Sequence, residues 1–331
     1  MKKRLWTILL LTLFAACDND KDKENGTGLL LWKTYTLENS ALINNYVNCV
    51  TVDRNDHIWV GNYYGDVTEF DGAEWTHHVT KDSGIFRNTI RKIVEDHNHV
   101  IWVGSEYGLF RHENDSWMDF ALPPLEPWYR FYGIFDLAVG TDNSLWVCMD
   151  RPLWRYGRES VSSYTWSSYN WSLYSYIRSY RVALAPGGNL WVMDQGNGMA
   201  YFDGSSFTAH DPPIHDIRAA VVGKNSILWI GSGSQGLYHY AGSAWYVYNT
   251  DNSGLPNNRV EAIASDEQGH LWIGTYGGLV HFDGTQWTIY NTENSGLLCN
   301  YITGIAFDSK NNVWVSTFGG GLSAFNENGI K

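Results

Sequence analysis

Short runs in which apolar and polar residues alternate recur along the chain from about residue 29 onward. Alternation with a period of two is typical of β-strands, because successive side chains point to opposite faces of a sheet. The runs are separated by turn-forming pairs such as Asp283-Gly284, which accept the positive φ angles of tight hairpins. The apolar spacing of amphipathic helices is absent from the sequence. The pattern therefore predicts an all-β chain of many short strands.

A Trp followed by Val or Ile sets the period of these strands. Its seven copies are 38 to 45 residues apart. The tryptophans are Trp59, Trp102, Trp146, Trp191, Trp229, Trp272 and Trp314. A period of this length, with four strands in each unit, is typical of the blades of a β-propeller. The sequence therefore predicts a seven-bladed β-propeller.

The two ends of the repeat region complement each other. The seventh repeat ends after Gly321–Phe325 and lacks an outer strand, whereas Trp32–Ser40 matches Trp287–Ser295 in register. We therefore expect an N-terminal outer strand to complete the last blade and to close a ring that spans residues 29–331. A closed ring has only short exposed sheet edges, which lowers the risk of edge-to-edge aggregation.

The repeats resemble the two-component regulator propeller repeat. Leu271–Thr275, Gly277–Leu279 and Phe282–Gly284 carry its pattern almost unaltered, and the resemblance covers about residues 29–331. In that family such propellers form the periplasmic sensors of hybrid histidine kinases that respond to glycan fragments. The resemblance therefore implies the blade fold and an affinity for saccharides. Because this chain has one ring and neither a membrane span nor a kinase, direct signal transduction by it is not implied.

The first 16 residues have the composition of a signal peptide. A basic start is followed by the apolar stretch Leu5–Ala16, which is too short to span a bilayer. Leu13–Cys17 resembles the bacterial lipoprotein signal, so we expect lipidation of Cys17. An ordinary cleaved signal with a coincidental cysteine is the alternative.

Residues 17–28 are polar and rich in charge, so we expect the lipidated cysteine to be followed by an acidic flexible tether. An acidic run after an acylated cysteine also resembles the surface-export signal of lipoproteins. The expected location is therefore the outer membrane, as a lipoprotein exposed at the cell surface. A periplasm-facing lipoprotein is the alternative.

The charge of the chain restricts its partners. The formal net charge is −12, and loss of the basic leader would make it three units more negative. An acidic chain without a basic stripe repels phosphate backbones, so no nucleic acid partner is expected. We expect a glycan or an envelope protein as partner, contact with the membrane only through the lipid anchor, and a monomeric ring.

Ligands of propellers usually meet the face formed by the loops between second and third strands and by the blade-to-blade connections. Aromatic side chains in these loops can stack on sugar rings, and polar neighbours can fix the hydroxyl groups. Eleven residues are predicted to bind ligand on this basis: Tyr63, Tyr107, Trp128, Tyr129, Asp150, Arg151, Trp171, Asp194, Gln195, Tyr276 and Phe318. Because the third blade departs most from the repeat, we centre the predicted platform on blades two to four. Packing between blades is the alternative role for these aromatics.

Signals for metal or catalytic chemistry are weak in the sequence. We expect no metal site and no cofactor, and we interpret the histidines, including His77 and His78, as solvated residues of turns. Aspartates recur in the turn before the tryptophan signature and are interpreted as turn caps: Asp53, Asp96, Asp142, Asp266 and Asp308. The cysteines Cys49, Cys148 and Cys299 show no convincing pairing and are interpreted as free thiols.

These observations favour a recognition module of the cell envelope that binds a glycan or a protein. A polysaccharide lyase or hydrolase with its site on the loop face is the first alternative, although no catalytic residue can be assigned. A structural component of an envelope complex is the second alternative.

Overall fold

The computed structural model describes residues 23–24, 30–78, 89–122, 133–149, 153–160, 163–169, 180–194, 198–214 and 216–330. These residues form seven antiparallel sheets, six with four strands and one with five. The predicted signal peptide and Cys17 lie outside the described residues, as does most of the predicted tether. No helix in the described part of the chain is long and apolar enough to cross a membrane.

The strands of blades one to four are given from the first strand of each blade to its fourth. Blade one contains β3 (Val47–Val52), β4 (Ile58–Asn62), β5 (Val67–Phe70) and β6 (Trp75–His78). Blade two contains β7 (Ile90–Glu95), β8 (Ile101–Ser105), β9 (Gly108–Glu113) and β10 (Ser116–Phe120). Blade three contains β11 (Ile134–Val139), β12 (Leu145–Met149), β13 (Leu153–Ser160) and β14 (Ser163–Tyr169). Blade four contains β15 (Arg181–Leu184), β16 (Leu190–Met193), β17 (Met199–Phe202) and β18 (Phe207–His210), with a short 3-10 turn at Pro186–Gly188.

The last three blades follow the same order. Blade five contains β19 (Ile217–Val222), β20 (Leu228–Ser232), β21 (Leu237–Ala241) and β22 (Ala244–Tyr248). Blade six contains β23 (Val260–Ser265), β24 (Leu271–Thr275), β25 (Gly278–Phe282) and β26 (Trp287–Tyr290). Blade seven contains β27 (Ile302–Phe307), β28 (Val313–Thr317) and β29 (Gly321–Phe325), followed by β2 (Leu30–Tyr35) and β1 (Lys23–Glu24).

The first strands of the seven blades contact one another in cyclic order around a central channel. Each contacts the first strand of the next blade, and β27 contacts β3, which closes the ring. The predicted seven-bladed β-propeller is therefore confirmed.

The N-terminal strand β2 pairs with β29 and supplies the outer part of blade seven. Trp32 lies opposite Phe325, is 3% exposed, and places its ring 4.6 Å from the Phe325 ring. The Thr34 hydroxyl donates a hydrogen bond of 2.8 Å to the carbonyl oxygen of Gly296 in the connection from blade six. Residues from both ends of the chain thus share one sheet and one core.

The hydrophobic core lies between neighbouring blades, and a glycine in the second strand permits their close approach. A Cβ atom on Gly61 would lie 2.4 Å from Cγ2 of Ile90, the first residue of the next blade's inner strand. Gly104 has the same relation to Ile134, at 2.6 Å. Where the signature has glycine, as in blades one and two, the packing between blades thus leaves no room for a Cβ atom. In blade three this position holds Cys148, which is fully buried.

The recurring aspartate caps the turn between first and second strands in blades one, two, six and seven. Asp53, for example, accepts backbone N–H bonds from Asn55 and His57 through Oδ1 and the indole N–H of Trp59 through Oδ2. Asp142 lies two residues later in its repeat than the other four, but its Oδ1 also caps the turn by accepting the backbone N–H of Ser144. It accepts the Ser144 hydroxyl as well and forms an ion pair with Arg155.

Candidate functional site

The central channel opens as a cavity of about 410 Å³ on the face of the loops that join second to third strands. Below, we call this cavity the channel mouth. The repeat position eleven residues before each signature tryptophan contributes one lining residue from every blade. These seven residues are Asn48, Arg91, Phe135, Tyr180, Arg218, Glu261 and Thr303.

A β-bulge lies at this position in six of the seven blades. The pairing of β7 with β8 shifts between Ile90 and Lys92, so Arg91 has no partner in the ladder, and the same shift occurs at Arg218. A bulge re-aims the side chain of its extra residue. In these six blades the side chain that lines the channel mouth thus belongs to the extra residue of a bulge.

Positive charge exceeds negative charge among the residues that line the channel mouth. The cations are Arg91, Lys92, Arg181, Arg218 and Arg259, and the anions are Glu106, Asp136 and Glu261. This balance is opposite to that of the whole chain, whose net charge is −12. The channel mouth is therefore a cationic site in an acidic protein.

Three of the arginines are held by carboxylates. Arg91 lies 2.5 Å from Glu106, and Arg259 lies 2.5 Å from Glu261. Arg218 pairs with Asp216 at 3.0 Å. These pairs fix the guanidinium groups, but they also compensate their charge.

Arg181 is held differently. Its Nε donates to the carbonyl oxygen of Arg218 at 2.6 Å, and its Nη1 donates to those of Tyr180 and Phe135 at 2.9 and 3.2 Å. The guanidinium also lies over the Tyr180 ring, 4.2 Å from its centre. In the described part of the chain neither Arg181 nor Lys92 forms an ion pair with a carboxylate. Both therefore supply uncompensated positive charge.

Aromatic rings form a continuous row beside the channel mouth across blades six, seven and one. Tyr276 contacts Tyr301 at 3.9 Å between ring centres, and Tyr301 contacts Phe318 at 5.2 Å. Phe318 in turn contacts Tyr63 at 5.5 Å. We call this row, completed by Tyr46 and Tyr64, the aromatic belt.

The two ends of the aromatic belt differ in their surroundings. At one end Tyr63 and Tyr64 are 46% and 57% exposed, so their faces are open to a ligand. At the other end the Arg259 guanidinium lies 4.1 Å from the centre of the Tyr276 ring. Burial and a side-chain hydrogen bond with Tyr276 raise the pKa of Tyr301, so its hydroxyl stays neutral. The belt is thus an uncharged surface beside a cationic one.

Three of the eleven predicted ligand-binding residues lie together in the aromatic belt: Tyr63, Tyr276 and Phe318. Tyr107 is 63% exposed in the corresponding loop of blade two, and Asp194 is buried, at 4% exposure. The other six lie outside the described residues: Trp128, Tyr129, Asp150, Arg151, Trp171 and Gln195. The platform on blades two to four therefore stays a prediction.

Sequence reasoning missed the cations of the channel mouth, although a signal for them was present. A charged residue follows an aliphatic one at the start of three inner strands: Ile90-Arg91, Ile217-Arg218 and Val260-Glu261. A charge beside buried aliphatic positions indicates a side chain that does not face the core.

A second cleft, of about 840 Å³, lies at the opposite face, among the turns of blades five, six, seven and one. Its two basic residues are Arg54 and Lys224. Its acidic residues are Asp53, Asp56, Asp266, Glu267, Asp283, Asp308 and Glu327. The two cavities, on opposite faces of the ring, thus have linings of opposite charge.

The interpretation of His77 and His78 as solvated turn residues was wrong. Both belong to β6, and His78 stacks on the Trp59 ring at 5.0 Å while bonding Glu69 at 2.9 Å. Burial raises the pKa of Glu69, but hydrogen bonds from His78 and His57 outweigh it, so the pKa lies below its ordinary value.

In the described residues Cys49 and Cys299 are free thiols, and burial raises the pKa of Cys49 to about 12.

Known proteins share these repeats and this fold. Three segments match the family model described as two component regulator propeller: residues 41–64, 254–277 and 296–319. No curated protein sequence matches the chain.

Among solved structures, the extracellular domain of the putative hybrid two component system BT3049 from B. thetaiotaomicron is 21% identical, with a TM-score of 0.71, covering 89% of this chain and 42% of that one. PorZ, a surface component of the type-IX secretion system of Porphyromonas gingivalis, is 19% identical, with a TM-score of 0.71 and coverage of 85% and 46%. This chain thus spans less than half the length of either.

Virginiamycin B lyase from Staphylococcus aureus is 13% identical, with a TM-score of 0.69, covering 88% of this chain and 98% of the lyase. At these identities the structural likenesses establish the fold alone. The matched segments run from the blade-to-blade connection through the first and second strands of blades one, six and seven, which also carry the aromatic belt. The chain is thus a seven-bladed β-propeller in which three segments match the two component regulator propeller model.

Proposed function

We propose that this chain is a recognition module of the cell envelope that binds acidic saccharides at the channel mouth. The observation that carries the proposal is the juxtaposition of uncompensated cationic groups, on Arg181 and Lys92, with the aromatic belt. A saccharide with carboxylate groups presents both features that such a surface recognises. Its C–H faces stack on aromatic rings, and its carboxylates accept charge-assisted hydrogen bonds.

Arg181 is the residue best suited to a carboxylate. Its guanidinium is oriented by three backbone carbonyl groups and by the Tyr180 ring, so little conformational entropy is lost when a ligand binds. The guanidinium of Arg181 has no carboxylate partner in the described residues that a ligand would have to displace. A neutral saccharide would leave this charge without a partner.

The aromatic belt would extend the site away from the channel axis. The rings of Tyr63 and Tyr64 meet nearly at right angles, with an interplanar angle of 89°, and therefore present two differently oriented faces. Arg259, held by Glu261, lies at the other end of the belt. A ligand of several sugar units could contact a tyrosine face and an arginine at the same time.

The proposed location of the module rests on the N-terminal sequence. We propose that Cys17 carries the lipid and that the chain is displayed on the outer membrane. The solved relatives described as an extracellular domain and as a surface component support an envelope location. Labelling with a radioactive fatty acid, compared with a Cys17→Ala variant, tests the anchor.

A matched pair of ligands tests the proposed function. Oligogalacturonate and its methyl ester have the same sugar rings, but only the first carries carboxylates. Affinity electrophoresis should show retardation of the protein by oligogalacturonate and not by the ester. Equal retardation by both would contradict recognition of charge, and retardation by neither would exclude this class of acidic saccharide. Release of shortened or unsaturated products would show an enzyme instead of a binding module.

A further inference from the structure

Three potential metal ligands converge in blade six, within the acidic cleft at the face opposite the channel mouth. They are the carboxylate of Asp266, the Nδ1 atom of His270 and the Nε2 atom of His281. All three ligand atoms lie within 4.8 Å of one another. Among the described residues no other group of three or more His, Cys, Asp or Glu side chains brings its ligand atoms this close together.

The distances within this group suit tetrahedral zinc. His270 Nδ1 lies 3.2 Å from His281 Nε2 and 3.6 Å from Asp266 Oδ2. Zinc bonds of 2.0–2.1 Å in a tetrahedron place ligand atoms about 3.3–3.4 Å apart. A zinc ion would therefore fit with shifts of a few tenths of an ångström in these two distances.

Neighbouring groups hold the ligands in place. Asp266 Oδ1 accepts backbone N–H bonds from Gln268 and His270 at 3.0 and 2.8 Å. Asp266 Oδ2 accepts the Trp272 indole N–H at 3.1 Å, and the Trp272 ring stacks on His281 at 4.5 Å. Contacts of this kind hold the ligand side chains in orientation and raise metal affinity.

The repeats provide an internal comparison. Blade five places His239 opposite Trp229, as blade six places His281 opposite Trp272. In blade five, however, Gly223 and Ile227 occupy the positions of Asp266 and His270. At these three repeat positions blade six thus has one carboxylate and two imidazoles, whereas blade five has a single imidazole.

We propose that Asp266, His270 and His281 bind one Zn²⁺ ion and leave a fourth coordination position open to water in the cleft. The surplus of acidic residues lining this cleft favours a cation there. Without metal, one proton lies between the two imidazoles, since each facing nitrogen can donate or accept. On binding, this proton moves to the other nitrogen of its ring, so both facing nitrogens become ligands.

Zinc binding can be measured on the full chain, purified without a polyhistidine tag and treated with EDTA. Titration calorimetry with Zn²⁺ should give one ion per chain in the wild-type protein. H281Q should weaken binding at least tenfold, whereas H239Q, the matched variant in blade five, should bind as the wild type does. Zinc should also raise the thermal midpoint of the wild-type protein and of H239Q but not that of H281Q.

The proposal is overturned if the wild-type protein binds zinc no more tightly than H281Q, or if H239Q loses as much affinity as H281Q. Near-ultraviolet circular dichroism checks that each variant is folded. Should H281Q fail to fold, H270Q replaces it with the same expectation. None of these readouts depends on saccharide binding at the opposite face.

Discussion

Asp308 Oδ2 accepts the indole N–H of Trp314 at 2.9 Å, six residues further along the chain. Its other carboxylate oxygen caps the intervening turn by accepting N–H bonds from Lys310 and Asn312. A single side chain thus fixes both the turn and the orientation of the signature tryptophan. The same relation joins Asp266 to Trp272, so the repeat conserves its geometry in more than one blade.

This relationship predicts the effect of Asp308→Asn. An amide of the same shape offers one acceptor oxygen, so either the turn or the buried indole loses its hydrogen bond. We expect the free energy of unfolding to fall by about 1–3 kcal/mol, the cost of an unsatisfied buried polar group. Urea denaturation measures the change. Asp251→Asn, at an exposed position, is the control and should change stability little, and an equal loss in both variants would contradict the assignment.

The closing strand predicts a second effect. Trp32 is buried against Phe325 and Tyr290, although it belongs to the opposite end of the chain from both. Trp32→Ala should lower the free energy of unfolding by about 3–5 kcal/mol, as expected for loss of a large core side chain. Leu37→Ala, which removes a half-exposed side chain just beyond the strand, should cost far less in the same denaturation experiment. Similar losses would mean that β2 does not stabilise the ring.

Gly321 provides a separate test of the closure. Its φ angle is +76°, and a Cβ atom there would lie 2.2 Å from the carbonyl oxygen of Tyr35 in β2. Gly284 also has a positive φ, +100°, but has open space around the same position. Since both substitutions carry the backbone strain, Gly321→Ala should cost roughly 1–3 kcal/mol more than Gly284→Ala, the usual cost of overpacking. Equal thermal shifts would contradict the close contact.

The half-buried His239 predicts a dependence of stability on pH. Burial lowers its pKa below the ordinary value of 6.5, and its Nδ1 has no hydrogen-bond partner in the described residues. The unfolded chain therefore binds a proton near pH 6.5 that the folded chain resists. Its contribution to stability is complete above that pH and declines as the pH falls toward the folded pKa.

The comparison of two histidine variants isolates this effect. Between pH 7 and pH 5, His239→Gln should lose less thermal stability than the wild-type protein. His97→Gln, which changes an exposed histidine, should follow the wild-type profile. Parallel profiles for all three proteins would show that His239 titrates alike in the folded and unfolded states.

The fold could be predicted from the sequence because each blade repeats its own signals. The seven tryptophans gave the number of blades, and the match of Trp32–Ser40 to the outer strand of blade six indicated the closure. The number of blades and the closure both follow from the order of the repeats along the chain. Asp142 departs from the pattern because it lies two residues closer to Trp146 than the other aspartates lie to their tryptophans, yet its Oδ1 still caps the turn at the N–H of Ser144.

The site was harder to predict, since it depends on contacts between blades. Tyr276 and Tyr63 were singled out one at a time, but they meet through Tyr301 and Phe318 only when the ring is closed. Arg181 was missed because it lies one position later in its repeat than Arg218, and blade four has no β-bulge between its first two strands. Likewise, His270 and His281 become neighbours only once the strand register is known.

The most direct test of the account is the affinity of oligogalacturonate for Arg181→Gln, measured by titration calorimetry beside the wild-type protein. Arg155→Gln is the matched control, because Arg155 pairs with Asp142 away from the channel mouth. We predict that Arg181→Gln weakens binding at least tenfold, or about 1.4 kcal/mol, and that Arg155→Gln binds as the wild type does. Unchanged affinity in Arg181→Gln would contradict the assignment of the channel mouth as the binding site.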